Sequence, residues 1–152
     1  MKNLILTGLA LAAFTILAPI PNGYAQNAPA AAAVDAAKEL QGTWEGVEKG
    51  REDAGKCTLT VTDKAIHFQG ANPQEWYKGT FTLPDGADPQ QLIGTIGECA
   101  QPDFVGKNAA AIYKIENDTI TIVANRPGIP DAPKTFEGGE GTRTFILKKV
   151  QK

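Results

Sequence analysis

Few residues of this chain have the types and spacings that catalysis or metal binding requires. His67 is the only histidine among the 152 residues, and strand alternation places it on the face opposite Ile66 and Phe68, which predicts an exposed side chain. The carboxylates near predicted turns are expected to cap backbone amides rather than to form a catalytic pair. One histidine, two cysteines and no CxxC spacing also argue against a metal site. We therefore expect no enzymatic activity, no metal and no cofactor.

The N-terminal segment 1–25 has the pattern of a secretory signal peptide. It contains one cation, Lys2, then an apolar run, then small residues at Gly23 and Ala25. The apolar run is shorter than the ~20 residues that span a bilayer, so we expect a cleaved signal peptide rather than a membrane anchor. Cleavage is predicted after Ala25, with Ala28 as the alternative. The mature protein would be periplasmic or secreted, without a membrane span, and would begin with a flexible leader over 26–33.

The remaining chain is mildly acidic and has the length of one domain, 34–150. The full sequence has 15 basic and 17 acidic residues and a formal net charge of −2, and cleavage removes only Lys2 from these residues. There is no basic stripe that would serve as an electrostatic footprint for nucleic acid or an anionic membrane. We expect a monomer that does not bind nucleic acid.

One short helix and about eight short strands are predicted. The segment "VDAAKELQ" (34–41) indicates the helix, which Gly42 ends. Alternating apolar and polar residues between Gly, Pro, Asn and Asp indicate strands over 43–48, 56–62, 65–69, 75–83, 91–98, 110–116, 119–124 and 142–150. Such alternation is typical of an antiparallel sheet with one covered face. The predicted fold is an all-β, up-and-down antiparallel barrel, with a two-sheet sandwich as the alternative.

The loops of this predicted barrel are short at one end and long at the other, which indicates an open mouth at the end with long loops. Cys57 begins the second strand and Cys99 follows the fifth, so both lie at the mouth. In an exported chain a disulfide between them is the natural expectation, and two buried free thiols are the alternative.

Four aromatic residues and one arginine are candidates for binding a ligand in the barrel interior. Alternation places Tyr77, Phe81, Tyr113 and Phe145 on inward faces, and Arg143 shares the face of Phe145 near the mouth. An inward guanidinium could hold a carboxylate head group. If the strand starts one residue later, Arg143 instead extends its charged end to solvent. An eight-stranded barrel can hold one small ligand or fill itself with side chains, so a cavity and a plugged core both remain open. The small residues Gly79, Gly94 and Ala111 leave room for a cavity, although they could instead mark bends of the sheet.

The stretch "LQGTWEGVEKG" (40–50) predicts the closed end of the barrel. Gly42 allows the helix to end and the chain to turn sharply into the first strand. Trp44 is then expected to pack beneath the barrel floor, with Lys148 or Lys149 of the last strand lying over its indole ring.

"GTW" after a short helix, followed by an eight-strand meander, resembles the Gly-x-Trp start of the lipocalins. The segments "PDFVGKNAAAIYKIENDTITI", "ANRPGIPDAPKTF" and "TFILKKV" are similar to an uncharacterised lipocalin-like domain family of planctomycetes and related bacteria. The resemblance covers 40–150 and implies a lipocalin-like barrel without implying an activity. Two features depart from it: a lysine replaces the arginine usually found over the tryptophan, and Ala132-Pro133 replaces a frequent Arg-Pro.

Two functions of different kinds follow from this pattern. The first is an exported lipocalin-like protein that binds a small apolar or amphipathic ligand in the barrel. The second is a secreted module that binds a protein partner, because periplasmic barrel inhibitors of metalloproteases share the Gly-x-Trp strand and a cysteine near the second strand. An open cavity would favour the first function, and a solid core with a protruding leader would favour the second.

Overall fold

Eight antiparallel strands close into a barrel in the computed structural model of the chain, which describes residues 28–151. Helix α1 (Ala28–Leu40) is followed by β1 (Gly42–Glu48), β2 (Cys57–Thr62), β3 (Ala65–Gln69), β4 (Trp76–Thr82), β5 (Gln91–Cys99), β6 (Asn108–Glu116), β7 (Thr119–Asn125) and β8 (Thr142–Lys149). Each strand pairs with its neighbours in sequence, and β8 pairs with β1. The predicted up-and-down barrel is confirmed, and it is consistent with a lipocalin-like all-β fold. The predicted signal peptide, 1–25, lies outside the described residues.

Helix α1 begins at Ala28 rather than at residue 34, so residues 28–33 of the predicted leader are helical. Alanine has the highest helix propensity, which explains the earlier start. After the helix, the Gln41 amide accepts a hydrogen bond from the Asp63 backbone N–H at 2.7 Å and donates to the Asp63 carbonyl at 3.1 Å. Gly42 then adopts a φ of 111°, a conformation that favours glycine. These contacts fix the helix against the β2–β3 turn.

Trp44 fills the closed end of the barrel beneath α1, as the sequence predicts. Its side chain is fully buried, and its indole N–H donates to the Leu40 carbonyl at 2.9 Å. The Nζ atom of Lys149 lies 4.9 Å from the indole ring centroid and also donates to the Glu39 carbonyl at 3.1 Å. The assignment of Lys148 to this structural role is wrong, because Lys148 lies one position away on the outer face and is exposed.

The loops divide the barrel into a floor and a mouth, as predicted. Tight turns join β2 to β3 and β6 to β7 at the floor, where α1 covers the end of the barrel. The loops 49–56, 70–75, 100–107 and 126–141 lie at the opposite end, called the mouth below. The longest of them folds back on the outside of the barrel, since Pro133 is buried and Phe136 lies against Lys114 of β6. The mouth is therefore left accessible between the loops.

Candidate functional site

A cavity of about 560 Å³ opens at the mouth and extends down between the strands. Its deep wall is made of apolar residues on the inward positions of β2 to β8, because inward positions alternate along every strand. Polar side chains line it only nearer the mouth. The apolar wall includes Leu59, Ile66, Phe68, Tyr77, Leu92, Ile96, Phe104, Ile122 and Phe145. The part of the chain that the structure describes thus forms a hollow barrel rather than a plugged one.

Three of the five candidate ligand-binding residues line this cavity, namely Tyr77, Phe145 and Arg143. Phe81 and Tyr113 face inward as expected, but they are buried deeper in the core and do not line the cavity. Both lie in the floor half of their strands, where the barrel is filled. Burial raises the pKa of the Tyr113 phenol to about 12. Phe81 and Tyr113 therefore point inward as predicted, but they lie too close to the floor to line the cavity, and their assignment to the ligand site is wrong.

Gly79 and Gly94, both expected inside the barrel, are glycine for different structural reasons. A Cβ atom at Gly94 would meet only the Ala109 carbonyl oxygen, at 3.8 Å, so its missing side chain leaves room in the cavity. A Cβ atom at Gly79 would lie 1.9 Å from the Thr95 carbonyl oxygen. Gly79 borders a register shift between β4 and β5, where the backbones approach closely. Gly94 thus creates space, whereas Gly79 marks a bend of the sheet.

Arg143 is held at the mouth by two carboxylates, which form with it a set called the mouth cluster (Glu48, Glu75 and Arg143). Its Nε–H donates to Glu48 Oε1 at 2.7 Å and its Nη2 donates to Glu48 Oε2 at 2.6 Å. Its Nη1 pairs with Glu75 Oε1, and its Nη2 donates to Glu75 Oε2 at 3.2 Å. Two-pronged pairs of this kind are strong and directional. Arg143 faces inward as predicted, but its guanidinium is occupied by the protein's own carboxylates.

The mouth cluster is largely shielded from water. The Glu48 side chain is only 10% exposed, and the Arg143 guanidinium also lies 5.0 Å from the Phe145 ring centroid. The hydrogen bonds from Arg143 lower the pKa of Glu48 below its ordinary value of 4.5, against the opposing effect of burial, and the charges of Arg143 and Arg51 add to the lowering. Glu48 is therefore ionised at neutral pH, and the two carboxylates of the cluster outnumber its one guanidinium.

Aromatic rings line the cavity above its floor. Phe68 stacks on Tyr77 with 6.3 Å between ring centroids and meets Phe145 edge-on at 4.9 Å. Tyr77 lies 6.4 Å from Phe104, which is carried into the mouth by a short 3₁₀ helix, Pro102–Phe104. Phe68 and Phe104 were not among the residues predicted to bind a ligand. Phe68 shares the inward face of Ile66, so alternation along the strand could have placed it in the barrel interior. Phe104 lies in a loop, where alternation gives no such indication.

The predicted disulfide is absent, and Cys57 and Cys99 are free thiols. Both lie at the mouth end of their strands, but β3 and β4 separate β2 from β5. Three strand spacings amount to roughly 14 Å along the sheet, whereas a disulfide needs Cα atoms within about 7 Å. Cys57 is fully buried, and burial raises the pKa of its thiol. Cys99 is half-buried, and its S–H donates to the Gln101 carbonyl at 2.9 Å.

His67 is exposed on the outer face of β3, as predicted, where it pairs with Lys78 across the sheet. Desolvation and the neighbouring Lys78 charge lower its pKa. Within residues 28–151, no three His, Cys, Asp or Glu side chains are grouped in a way that could hold a metal ion. Within the same residues, no helix is both long enough and apolar enough to cross a bilayer.

Comparison with known proteins adds no relative to these observations: no family model matches the chain, and no curated protein matches it. Arguments about function therefore depend on the geometry of the barrel itself.

Proposed function

We propose that this protein binds a small apolar or amphipathic molecule inside its barrel. The observation that carries the proposal is the cavity of about 560 Å³, which is open at the mouth and apolar in its depth. A concave, mostly apolar pocket with a few polar groups at its rim is the usual form of a small-molecule site. The driving force would be removal of apolar surface from water on both ligand and wall.

The structure offers a reason why this cavity is kept open. The mouth cluster joins β1, β8 and the segment before β4, so that the rim is braced by charge pairs rather than by residues packed into the interior. A preformed cavity loses less conformational entropy when a ligand binds than one that must first open. The brace therefore supports a binding function.

Export and a lipocalin-like family membership belong to the same proposal. They are supported by the signal-like pattern of 1–25 and by the Gly-x-Trp stretch, whose Trp44 lies beneath a covering helix. N-terminal sequencing of protein recovered from the cell exterior or periplasm tests the first point. A chain beginning at Gln26 is expected, and an intact Met1 would contradict export through a cleaved signal.

The alternative of a protein-binding module is less well supported. A solid core with a protruding leader would favour a protein-binding module, whereas the described residues enclose a cavity. The proposed small-molecule function is therefore the one to test first.

Native mass spectrometry of protein purified without refolding provides that test. We expect an additional mass that stays bound under native conditions and leaves on denaturation, and fragmentation would begin to identify the ligand. Protein stripped of this mass should take up an added apolar fluorophore with saturable binding. The absence of both the additional mass and saturable uptake would contradict the proposal.

A further inference from the structure

The position of the free positive charge at the mouth bears on the kind of ligand that the cavity takes. Arg143 is the arginine that the sequence pointed to, but four of its N–H···O contacts already go to Glu48 and Glu75. A ligand carboxylate placed beside Arg143 would also face those two carboxylates. Arg143 is therefore poorly suited to receive an anion.

Arg126 lies at the mouth on a different part of the rim and lines the same cavity. It follows β7 at the next position of the inward set Ile120, Ile122 and Ala124. Its guanidinium carbon lies 5.5 Å from the centroid of Phe104, which is itself buried and lines the cavity. Among the residues that the structure describes, no carboxylate forms an ion pair with Arg126. Its charge is thus held over an apolar ring and left available.

Tyr77 supplies a second polar group near Arg126. Its ring lies 6.4 Å from Phe104 and lines the cavity, and its hydroxyl takes part in none of the side-chain hydrogen bonds seen among residues 34–151. Burial and the neighbouring Cys99 raise the pKa of the Tyr77 phenol, and the Arg126 charge opposes them. Together they offer a cation and a neutral O–H donor above an apolar cavity.

We propose that the cavity takes an apolar chain ending in a single carboxylate, with the chain in the depth of the barrel and the carboxylate at Arg126 and Tyr77. This inference rests on the proposed binding function and adds the chemistry of the ligand and its orientation. The arrangement would pair the carboxylate with the free guanidinium and keep it apart from Glu48 and Glu75. A charge-assisted hydrogen bond of this kind is stronger than a neutral one.

Three probes with chains of the same length separate this inference from the proposed function. Decanoate, decanol and decylamine are titrated into the ligand-free full chain by calorimetry, at low ionic strength and neutral pH. We expect decanoate to bind at least roughly tenfold more tightly than decanol, with decylamine the weakest of the three.

Variants of the rim identify the residue responsible. Arg126→Met should remove the roughly tenfold preference for decanoate over decanol, and Arg126→Lys should keep part of that preference. Lys107→Met is the matched control, because Lys107 also lies beside the Phe104 ring, at 5.7 Å, but does not line the cavity. It should change decanoate binding by less than about threefold.

Each result bears on a different statement. Decanol binding as tightly as decanoate, or decylamine binding more tightly, would overturn the carboxylate inference while leaving the binding function in place. A preference for decanoate that survives Arg126→Met would overturn the assignment of Arg126. If none of the three probes binds, this inference fails, and saturable fluorophore uptake by the same protein shows whether the proposed function stands without it.

Discussion

The Glu75 carboxylate is ion-paired with the Arg143 guanidinium, although the strands that carry them are as far apart as an eight-stranded barrel allows. Glu75 directly precedes β4 and Arg143 lies near the start of β8, so four strand spacings separate them in either direction around the barrel. The contact therefore reaches across the mouth. Glu48 of β1 holds the same guanidinium from the side.

Loss of the arginine should destabilise the barrel. Arg143→Met would leave Glu75 without its donor and Glu48 with only the longer hydrogen bond from Arg51, at 3.4 Å, and we expect it to lower the free energy of unfolding by about 2 kcal/mol. Urea unfolding followed by tryptophan fluorescence measures the change. The triple variant Glu48→Gln, Glu75→Gln and Arg143→Met is the control and should recover part of the loss, because no unpaired carboxylate remains. A loss below about 0.5 kcal/mol for Arg143→Met would contradict this account of the cluster.

The mouth cluster should also make stability depend on acid pH. The pKa of Glu48 is lowered in the folded protein, so its stabilising contribution is present above its ordinary value of 4.5 and is lost as the pH falls through the lowered value. We expect the melting temperature to fall less steeply in Glu48→Gln than in the parent between neutral pH and about pH 3. Melting curves across that range provide the comparison. Parallel pH profiles for the two proteins would show that Glu48 does not contribute.

Two adjacent lysines of the last strand should contribute differently to the free energy of unfolding. Lys149 lies over Trp44 and donates to the Glu39 carbonyl, whereas Lys148 is exposed on the outer face. Lys149→Met should cost about 1 kcal/mol of unfolding free energy, because it removes a cation–π contact and a hydrogen bond at the end of α1. Lys148→Met is the matched control and should stay within about 0.5 kcal/mol of the parent. Equal effects from the two variants would contradict the assignment of Lys149.

The free thiols should react at different rates. Cys57 is fully buried and burial raises the pKa of its thiol, so little reactive thiolate is available to an alkylating reagent. Cys99 is half-buried at the mouth. Iodoacetamide at neutral pH should modify Cys99 first and reach Cys57 only on unfolding, as peptide mass spectrometry would show. A non-reduced protein that is two hydrogens lighter and resists alkylation at both positions would instead indicate a disulfide.

The barrel could be predicted from the sequence because apolar and polar residues alternate within each strand, and this pattern is local. The inward directions of Tyr77, Phe145 and Arg143 follow from local parity, and the division between short and long loops follows from the lengths of the segments between strands. Depth along the barrel does not follow from parity. Phe81 and Tyr113 face inward like Tyr77, but whether an inward residue lines a cavity or fills the floor depends on all eight strands together.

Contacts across the barrel could not be predicted from the sequence for a related reason. Glu48 shares the inward face of Trp44, and Glu75 shares the parity of Tyr77, so both could have been placed inside. That the two meet on Arg143 depends on strand order and register around the closed barrel. The same limit explains the cysteines: Cys57 and Cys99 lie at the same end, but their separation around the barrel could not be read from spacing along the chain.

A variant with a bulky side chain inside the cavity tests most directly the central claim that a ligand binds within the barrel. Gly94 lines the cavity, and a Cβ atom there would meet only the Ala109 carbonyl oxygen, at 3.8 Å, so Gly94→Phe should place a phenyl ring in the cavity without breaking the barrel. Gly97→Phe is the matched control, since Gly97 is an exposed residue of the same strand that does not line the cavity. Both variants should melt at or above the temperature of the parent, because phenylalanine favours strands more than glycine does.

The measurement is the saturable binding of an apolar fluorophore to the ligand-free parent and to these two variants. We predict that Gly94→Phe strongly weakens binding and that Gly97→Phe binds as the parent does. If a folded Gly94→Phe protein binds the fluorophore as tightly as the parent, the ligand does not occupy the barrel and the account is contradicted.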